Sequence, residues 1–181
     1  TDRPAIAVIG CGYWGRNHIR TLHGLGALAA VADADAGSAA ATGAEFGVPA
    51  LTVEAVLESD GIDGVVLALP PQFHAEYAVR VLSSGKHVLV EKPIAMSSTE
   101  VLTMLDAARQ NDVFLMEAFM YRCHPQIAKM VELIQDGAIG EVRVIRSAFG
   151  YNSPFDESSR VYNKDLGGGG ILDVGCYPIS M

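Results

Sequence analysis

The feature that most restricts this chain is a glycine turn inside its first fifteen residues. Gly10-Cys11-Gly12-Tyr13-Trp14-Gly15 follows the apolar run Ala5–Ile9 and opens the helical spacing of Tyr13 to Leu25. A GxGxxG alone is weak, because the chain has 19 glycines from which one can arise by chance. Between a strand and a helix it carries a mechanism. Gly10 permits the tight turn, Gly12 lets the backbone approach a pyrophosphate, and Gly15 lets helix and strand pack closely. The first turn of the helix then offers unpaired N–H groups and a partial positive charge to phosphate oxygens. The competing possibility is a strand–helix turn of purely structural use.

The following residues alternate in type. Apolar runs at Leu28–Ala32, Ile62–Leu69, His87–Val90 and Val113–Met116 predict strands. Helical spacing predicts helices over Ser38–Phe46, Leu51–Leu57 and His74–Leu82, and another from Ser97 to about Asn111. Ser97 with Glu100 three residues on is a capping box. The strands lack in–out alternation, as strands covered by helices on both faces do. The expected fold class is therefore α/β, a Rossmann doubly wound parallel sheet. From Met120 the character changes. His124-Pro125 opens a helix through Ile134, and Val142–Phe149 alternates as a half-buried strand of an antiparallel sheet would. A polar loop, the glycine run Gly167–Gly170 and an apolar segment to Met181 complete the chain.

The net charge of −8 and a pI near 5.0 would repel nucleic acid and anionic membranes. Cys11, Cys123 and Cys176 are scattered and odd in number, which fits a reducing compartment better than a disulfide framework, and no metal site is expected. There is no signal-like segment and no apolar run of membrane-spanning length, so a cytoplasmic protein is expected.

Asp33 ends the second strand, 18 residues after Gly15. A carboxylate there accepts hydrogen bonds from adenosine ribose hydroxyls and repels a 2′-phosphate, and Ala34 stands where an NADP enzyme often has arginine. NAD is the expected cofactor, with NADP less favoured. Asp33 or Asp35 would alternatively cap the next helix. Glu91-Lys92-Pro93 follows the strand His87–Val90. Ligands of open α/β sheets bind beyond the carboxyl ends of strands, so Lys92 is placed to hold a substrate hydroxyl and relay its proton. The alternative for Lys92 is a solvated surface lysine.

Taken together, Gly10–Gly15, Glu91-Lys92-Pro93, Gly167–Gly170 and Asp173-Val174-Gly175-Cys176-Tyr177 resemble the glucose–fructose oxidoreductase / inositol dehydrogenase / MocA family. Glu117-Ala118-Phe119-Met120-Tyr121-Arg122 and the DxGxY ending are similar to the branch of glucose–fructose oxidoreductase, xylose dehydrogenase and dihydrodiol dehydrogenase. The opening Gly12–Asn17 is similar to nucleotide-sugar 3-dehydrogenase relatives. The resemblance implies an NAD(P)-binding Rossmann domain over residues 1–119. It also implies the start of an α+β domain with an open antiparallel sheet over residues 120–181, for substrate binding and oligomerisation. It implies hydride transfer between a nicotinamide and a carbinol of a sugar, cyclitol or diol. Lys92 matches the family's catalytic lysine, Asp173 its substrate-binding acid, and Tyr177 the position held by histidine or tyrosine. Leu69, Pro70, Pro71 and His74 match the cofactor-contacting turn, with Tyr13, Trp14, Glu91 and Arg122 further cofactor contacts. A homo-oligomer is also implied.

The chemistry of these residue types agrees. A free tyrosine titrates near about 10, too high for an efficient base at neutral pH, and a neighbouring lysine ammonium lowers it. The chain is about half the size of the family's two-domain members, so it is expected to be either a fragment or a protein that has lost its substrate domain, with most of the second domain's sheet missing. Two alternatives stand beside the dehydrogenase: a dinucleotide-binding module without catalysis, and a flavoprotein, since FAD sites share the glycine turn.

Overall fold

The computed structural model describes residues 3–181. Strands β1 (Ile6–Ile9), β2 (Leu28–Ala32), β3 (Gly64–Leu67), β4 (His87–Glu91) and β5 (Leu115–Ala118) form one sheet in the order β2-β1-β3-β4-β5. β1 runs parallel to both β2 and β3, and β3 parallel to β4. The chain thus winds one way from β1 to β2 and the other way from β3 onward. Such a reversal opens a crevice at the carboxyl ends of the strands on either side of it, here β1 and β3.

Helices α1 (Tyr13–Gly24), α2 (Ala36–Phe46), α3 (Val53–Glu58), α4 (His74–Ser83) and α5 (Ser98–Gln110) connect the strands. Successive strand residues face opposite sides, and two apolar clusters result. Ala7, Ile9, Val65, Leu67, Val88 and Val90 pack with Val81 and Leu82 of α4 and Met104 of α5. Val8, Val31 and Val66 pack with Ile19 of α1. This two-sided burial is why the strands read as continuous apolar runs.

Most helix starts are fixed by side chains. Asp35 accepts from the N–H groups of Gly37 and Ser38, Thr52 from Ala55, and Ser97 from Glu100. Asp35, not Asp33, therefore caps α2. The reciprocal bond of the Ser97 box lands one residue early: Glu100 accepts from the N–H of Met96 at 2.8 Å.

The chain divides into two compact units, one ending at Glu117 and the other spanning Ala118–Met181. The second unit holds α6 (Pro125–Gln135), a π-helical turn (Ile171–Gly175) and α7 (Cys176–Ser180). Pro125 opens α6 at its first position and His124 Nδ1 accepts from the N–H of Gln126. The strand expected over Val142–Phe149 is absent: the segment is irregular and exposed throughout, Val144 to 71%. Alternation selects a face but supplies no backbone partners. Among the described residues no strand pairs with this segment, so its N–H and C=O groups gain nothing from an extended ladder. No helix among the described residues is long and apolar enough to cross a membrane.

Candidate functional site

The turn from β1 to α1 works through its glycines. Gly10 has φ +103°, and a Cβ there would overlap the carbonyl oxygen of Ala68. A Cβ on Gly15 would overlap the carbonyl oxygen of Gly10. Gly12 is different: it has φ −70° and nothing within 4 Å of where a Cβ would stand. It is also the N-cap of α1, and no side chain caps this helix. The N–H groups that Asp35, Thr52 and Ser97 cover elsewhere stay without a side-chain partner on α1, and its first turn contains no acid. Tyr13 and Trp14 are exposed on that first turn, their rings edge to face at 5.6 Å.

Asp33 ties this turn to the end of β2. One carboxylate oxygen accepts from the N–H of Cys11 at 2.6 Å and the other from Asp35 at 2.9 Å. Beside it lies an open cavity of about 430 Å³, lined by Asp33, Ala34, Thr52, Glu54 and Tyr77 among others. No lysine or arginine lines it.

Cys11 is buried between the two glycines, and this burial, with a contribution from the Asp33 charge, pushes its thiol up despite a hydrogen bond from Thr42. Cys123 is exposed. The thiolate is the reactive form, so an aromatic disulfide reagent at pH 8 is expected to label Cys123 in the native chain and leave Cys11 intact until denaturant is added. Peptide mapping that finds Cys11 labelled first would contradict this packing.

The loops after β3 and β4 are joined by His74. Its ring is fully buried, with Nδ1 2.8 Å from the Pro93 carbonyl oxygen and Nε2 2.8 Å from that of Leu69. His74 was expected to touch the cofactor. These two contacts hold the loops after β3 and β4 together. Pro71 is buried, and Leu69 and Pro70 lead into the short 3-10 turn Pro71–Phe73. Glu91 contacts His18 Nε2 at 2.8 Å and accepts from the N–H of Lys92 at 3.1 Å. The Lys92–Pro93 peptide is cis, and Ile94 donates to Glu117 at 2.8 Å. Lys92 is half-buried at the carboxyl end of β4.

In the second unit Asp173 is 5% exposed. It accepts from the hydroxyl of Tyr151 at 2.7 Å and from Arg160 at 2.8 Å. Donating to this carboxylate, with some burial, pushes the Tyr151 hydroxyl up. Tyr177 packs edge to face among Phe119, Tyr121 and Phe149, with centroids 5.3–5.9 Å away. The π-helical turn carries Asp173 and α7 carries Tyr177. Arg122 donates to the carbonyl of Ser180 at 2.7 Å and lies over the Phe119 ring. Sequence reasoning missed Tyr151, Arg160 and His18, whose partners lie 22, 13 and 73 residues away. No local spacing marks such pairs. Among the described residues no cluster of His, Cys, Asp and Glu is gathered to hold a metal.

A parallel sheet with a reversal at β1 and β3, a bare helix N-terminus behind a glycine turn, and an acid at the end of β2 define an NAD(P)-binding Rossmann domain. Family models agree: one described as "Oxidoreductase family, NAD-binding Rossmann fold" matches residues 5–119, and one described as "GFO/IDH/MocA C-terminal domain" matches residues 127–181. The chain belongs to the GFO/IDH/MocA oxidoreductase family. It is 38% identical over 133 residues to the dTDP-3,4-didehydro-2,6-dideoxy-alpha-D-glucose 3-reductase of Actinomadura kijaniata, covering 74% of this chain and 40% of the reductase. It is 37% identical over 154 residues to D-xylose 1-dehydrogenase (NADP(+)) 2 of Haloferax volcanii, covering 84% of this chain and 47% of that enzyme. Among solved structures, GenD2 from gentamicin A biosynthesis, in complex with NAD, superposes with a TM-score of 0.84 at 25% identity, covering 99% of this chain and 52% of GenD2. The chain spans about half the length of the curated relatives it matches.

Proposed function

We propose that this chain carries the dinucleotide-binding and proton-handling residues of a dehydrogenase that moves a hydride between a nicotinamide cofactor and a carbinol of a sugar, cyclitol or diol. The observation that carries the reading is the uncapped N-terminus of α1, with open space at Gly12 where a phosphate would approach. The residues present fit the group. The backbone of Gly10–Gly15 would hold the pyrophosphate, with Tyr13 and Trp14 flanking it. Asp33 would hold the ribose hydroxyls. Leu69, Pro70, Pro71, Glu91 and Lys92 would shape the nicotinamide end, and Arg122 is assigned to the same ligand. When bound, the nicotinamide supplies the hydride acceptor or donor. Tyr177 takes or returns the carbinol proton, Lys92 supplies positive charge to the oxygen it leaves, and Asp173 holds the substrate. The assembly proposed is a homo-oligomer.

NAD is the preferred dinucleotide. The two acids Asp33 and Glu54 line the cavity beside β2 and no cation does. Asp33 would repel a 2′-phosphate there, while Glu54 is paired with Arg80 at 2.9 Å. Titration of the chain with NADH and NADPH, followed by nicotinamide fluorescence, is expected to show NADH bound at least about tenfold more tightly, a difference of about 1.4 kcal/mol. Binding of neither by a chain whose circular dichroism shows it folded would refute the dinucleotide assignment. A polyol and aldose panel with NAD then tests catalysis, with Tyr177→Phe expected to abolish turnover and preserve NADH affinity, and Lys92→Ala expected to abolish turnover and weaken NADH binding. NADH binding with no turnover on any substrate would favour a dinucleotide-binding module instead.

A further inference from the structure

His18 and Glu91 tie α1 to the turn after β4. His18 Nε2 lies 2.8 Å from Glu91 Oε1, and Glu91 Oε2 accepts from the N–H of Lys92 at 3.1 Å. One carboxylate oxygen thus meets a helix and the other meets the backbone of the lysine. A carboxylate only accepts hydrogen bonds, so His18 Nε2 is the donor in this contact. The two side chains are 22% and 15% exposed, so the pair is shielded from the solvent and salt that weaken surface contacts.

The two ends of this tie are what give it a use. α1 is fixed on the sheet: Gly15 sits against the Gly10 carbonyl, and Ile19, next to His18, packs with Val8, Val31 and Val66. The first turn of the same helix carries the N–H groups that no side chain caps. Glu91 is the last residue of β4, and β3 stands between β1 and β4 in the sheet. The tie therefore reaches from the helix after β1, past β3, to the carboxyl end of β4. A dinucleotide lying in the crevice at β1 and β3 would run the same way, with its phosphates on α1 and its nicotinamide beside Lys92. Two other contacts hold the lysine turn. Pro93 is bonded to His74, and Ile94 donates to Glu117 of β5. Those bind the turn to the loop after β3 and to the neighbouring strand, whereas His18 binds it to the helix of the glycine turn.

We propose that His18 is a positioning residue for the lysine turn: acting through Glu91, it fixes the spacing between Lys92 and the phosphate-binding turn of α1, so that one dinucleotide meets both at once. The inference deepens the dinucleotide reading and rests on it for what α1 and Lys92 bind. It gives Glu91 the task of a strut between helix and lysine. A ligand that had to order this turn for itself would bind more weakly, because the cost of ordering would come out of its affinity.

The test compares His18→Gln with His18→Asn in the full chain. Both carry the same amide donor, but the glutamine nitrogen reaches about as far as imidazole Nε2 and the asparagine nitrogen only about as far as Nδ1. Two quantities are read: hydrogen exchange of the Lys92 amide, by nuclear magnetic resonance on a chain with ¹⁵N-labelled lysine, and NADH affinity. The Lys86 amide, which donates to the Val81 carbonyl at 3.3 Å just before β4, reports on the fold. His18→Asn is expected to speed Lys92 exchange and to weaken NADH binding, each at least tenfold, with Lys86 protected as in the wild type. His18→Gln is expected to recover most of both. A general need for a polar residue at this position would make the two variants alike, and that result overturns the proposal. Unchanged Lys92 exchange in His18→Asn shows that the tie does not hold the turn, and faster exchange with unchanged NADH affinity shows that it does not position the lysine for the ligand. Should His18→Asn lose protection at Lys86, His18→Gln decides alone: NADH affinity near wild type supports the tie, and its loss in a folded chain overturns it. A folded wild-type chain that binds no NADH refutes the dinucleotide reading instead, and Lys92 exchange in the two variants still decides whether His18 holds the turn.

Discussion

A Gly15→Ala chain is expected to lose both stability and dinucleotide binding, whereas Gly12→Ala loses binding alone. The Gly15 methyl would overlap the carbonyl oxygen of Gly10, and both partners are backbone. Backbone cannot swing aside as a side-chain tip can. Relief requires α1 to move off β1, and with it Ile19 from the cluster of Val8, Val31 and Val66. Overpacking of this kind costs about 3 kcal/mol, which lowers Tm by about 10 °C or more. Gly12→Ala meets nothing within 4 Å and has an ordinary φ of −70°. Its cost in stability is that of a poorer N-cap, about 1 kcal/mol or less. Its methyl group, however, would stand where phosphate oxygens must approach the bare N–H groups of α1. NADH affinity should fall at least tenfold while the melting curve stays near wild type. Calorimetry and nicotinamide fluorescence on the two variants separate these outcomes. A Gly12→Ala chain that binds NADH normally would show that the pyrophosphate does not sit on this turn.

That contrast also marks how much the sequence made legible. The three glycines are identical letters, yet their spacing between a strand and a helix already assigned them different tasks, because the turn, the approach and the packing contact are all local. β1 to β5 and α1 to α6 were legible for the same reason: each is written in its own periodicity and punctuation. Val142–Phe149 marks where local pattern stops. Its alternation is that of a strand, but a strand exists only with a neighbour, and no described strand pairs with it. The clusters around the site were hidden for a related reason. Tyr151 and Arg160 meet Asp173 across 22 and 13 residues, beyond the reach of any local spacing. The Asp33 or Asp35 ambiguity was resolvable only by geometry, since both acids lie within reach of a helix start and the structure gives Asp35 the cap and Asp33 the glycine turn.

Replacing His74 by leucine is expected to be among the most damaging changes to the first unit. The side chain is fully buried, so the leucine fills most of the volume and the effect isolates the polar contacts. Both nitrogens lie 2.8 Å from carbonyl oxygens of residues 5 and 19 positions away. A neutral imidazole donates once and an imidazolium twice, so at least one of these carbonyls loses a donor that leucine cannot replace. Leaving a buried acceptor unsatisfied costs about 1–3 kcal/mol, and the shape mismatch adds about 1 kcal/mol. A total of about 3 kcal/mol corresponds to a fall in Tm of about 10 °C. The functional consequence follows from which carbonyls are involved. Leu69 begins the turn into Pro70 and Pro71, and Pro93 follows Lys92 directly. With the imidazole gone, the loops after β3 and β4 lose their common anchor, and the residues proposed to meet the nicotinamide lose their fixed spacing. NADH affinity measured well below the new Tm should therefore fall by more than the small unfolded fraction explains. His74→Gln, which can still donate to one carbonyl, should recover part of both losses. If His74→Leu melts with the wild type, the ring is not what joins these loops; if it melts early but binds NADH normally while folded, the joint serves stability and not the site.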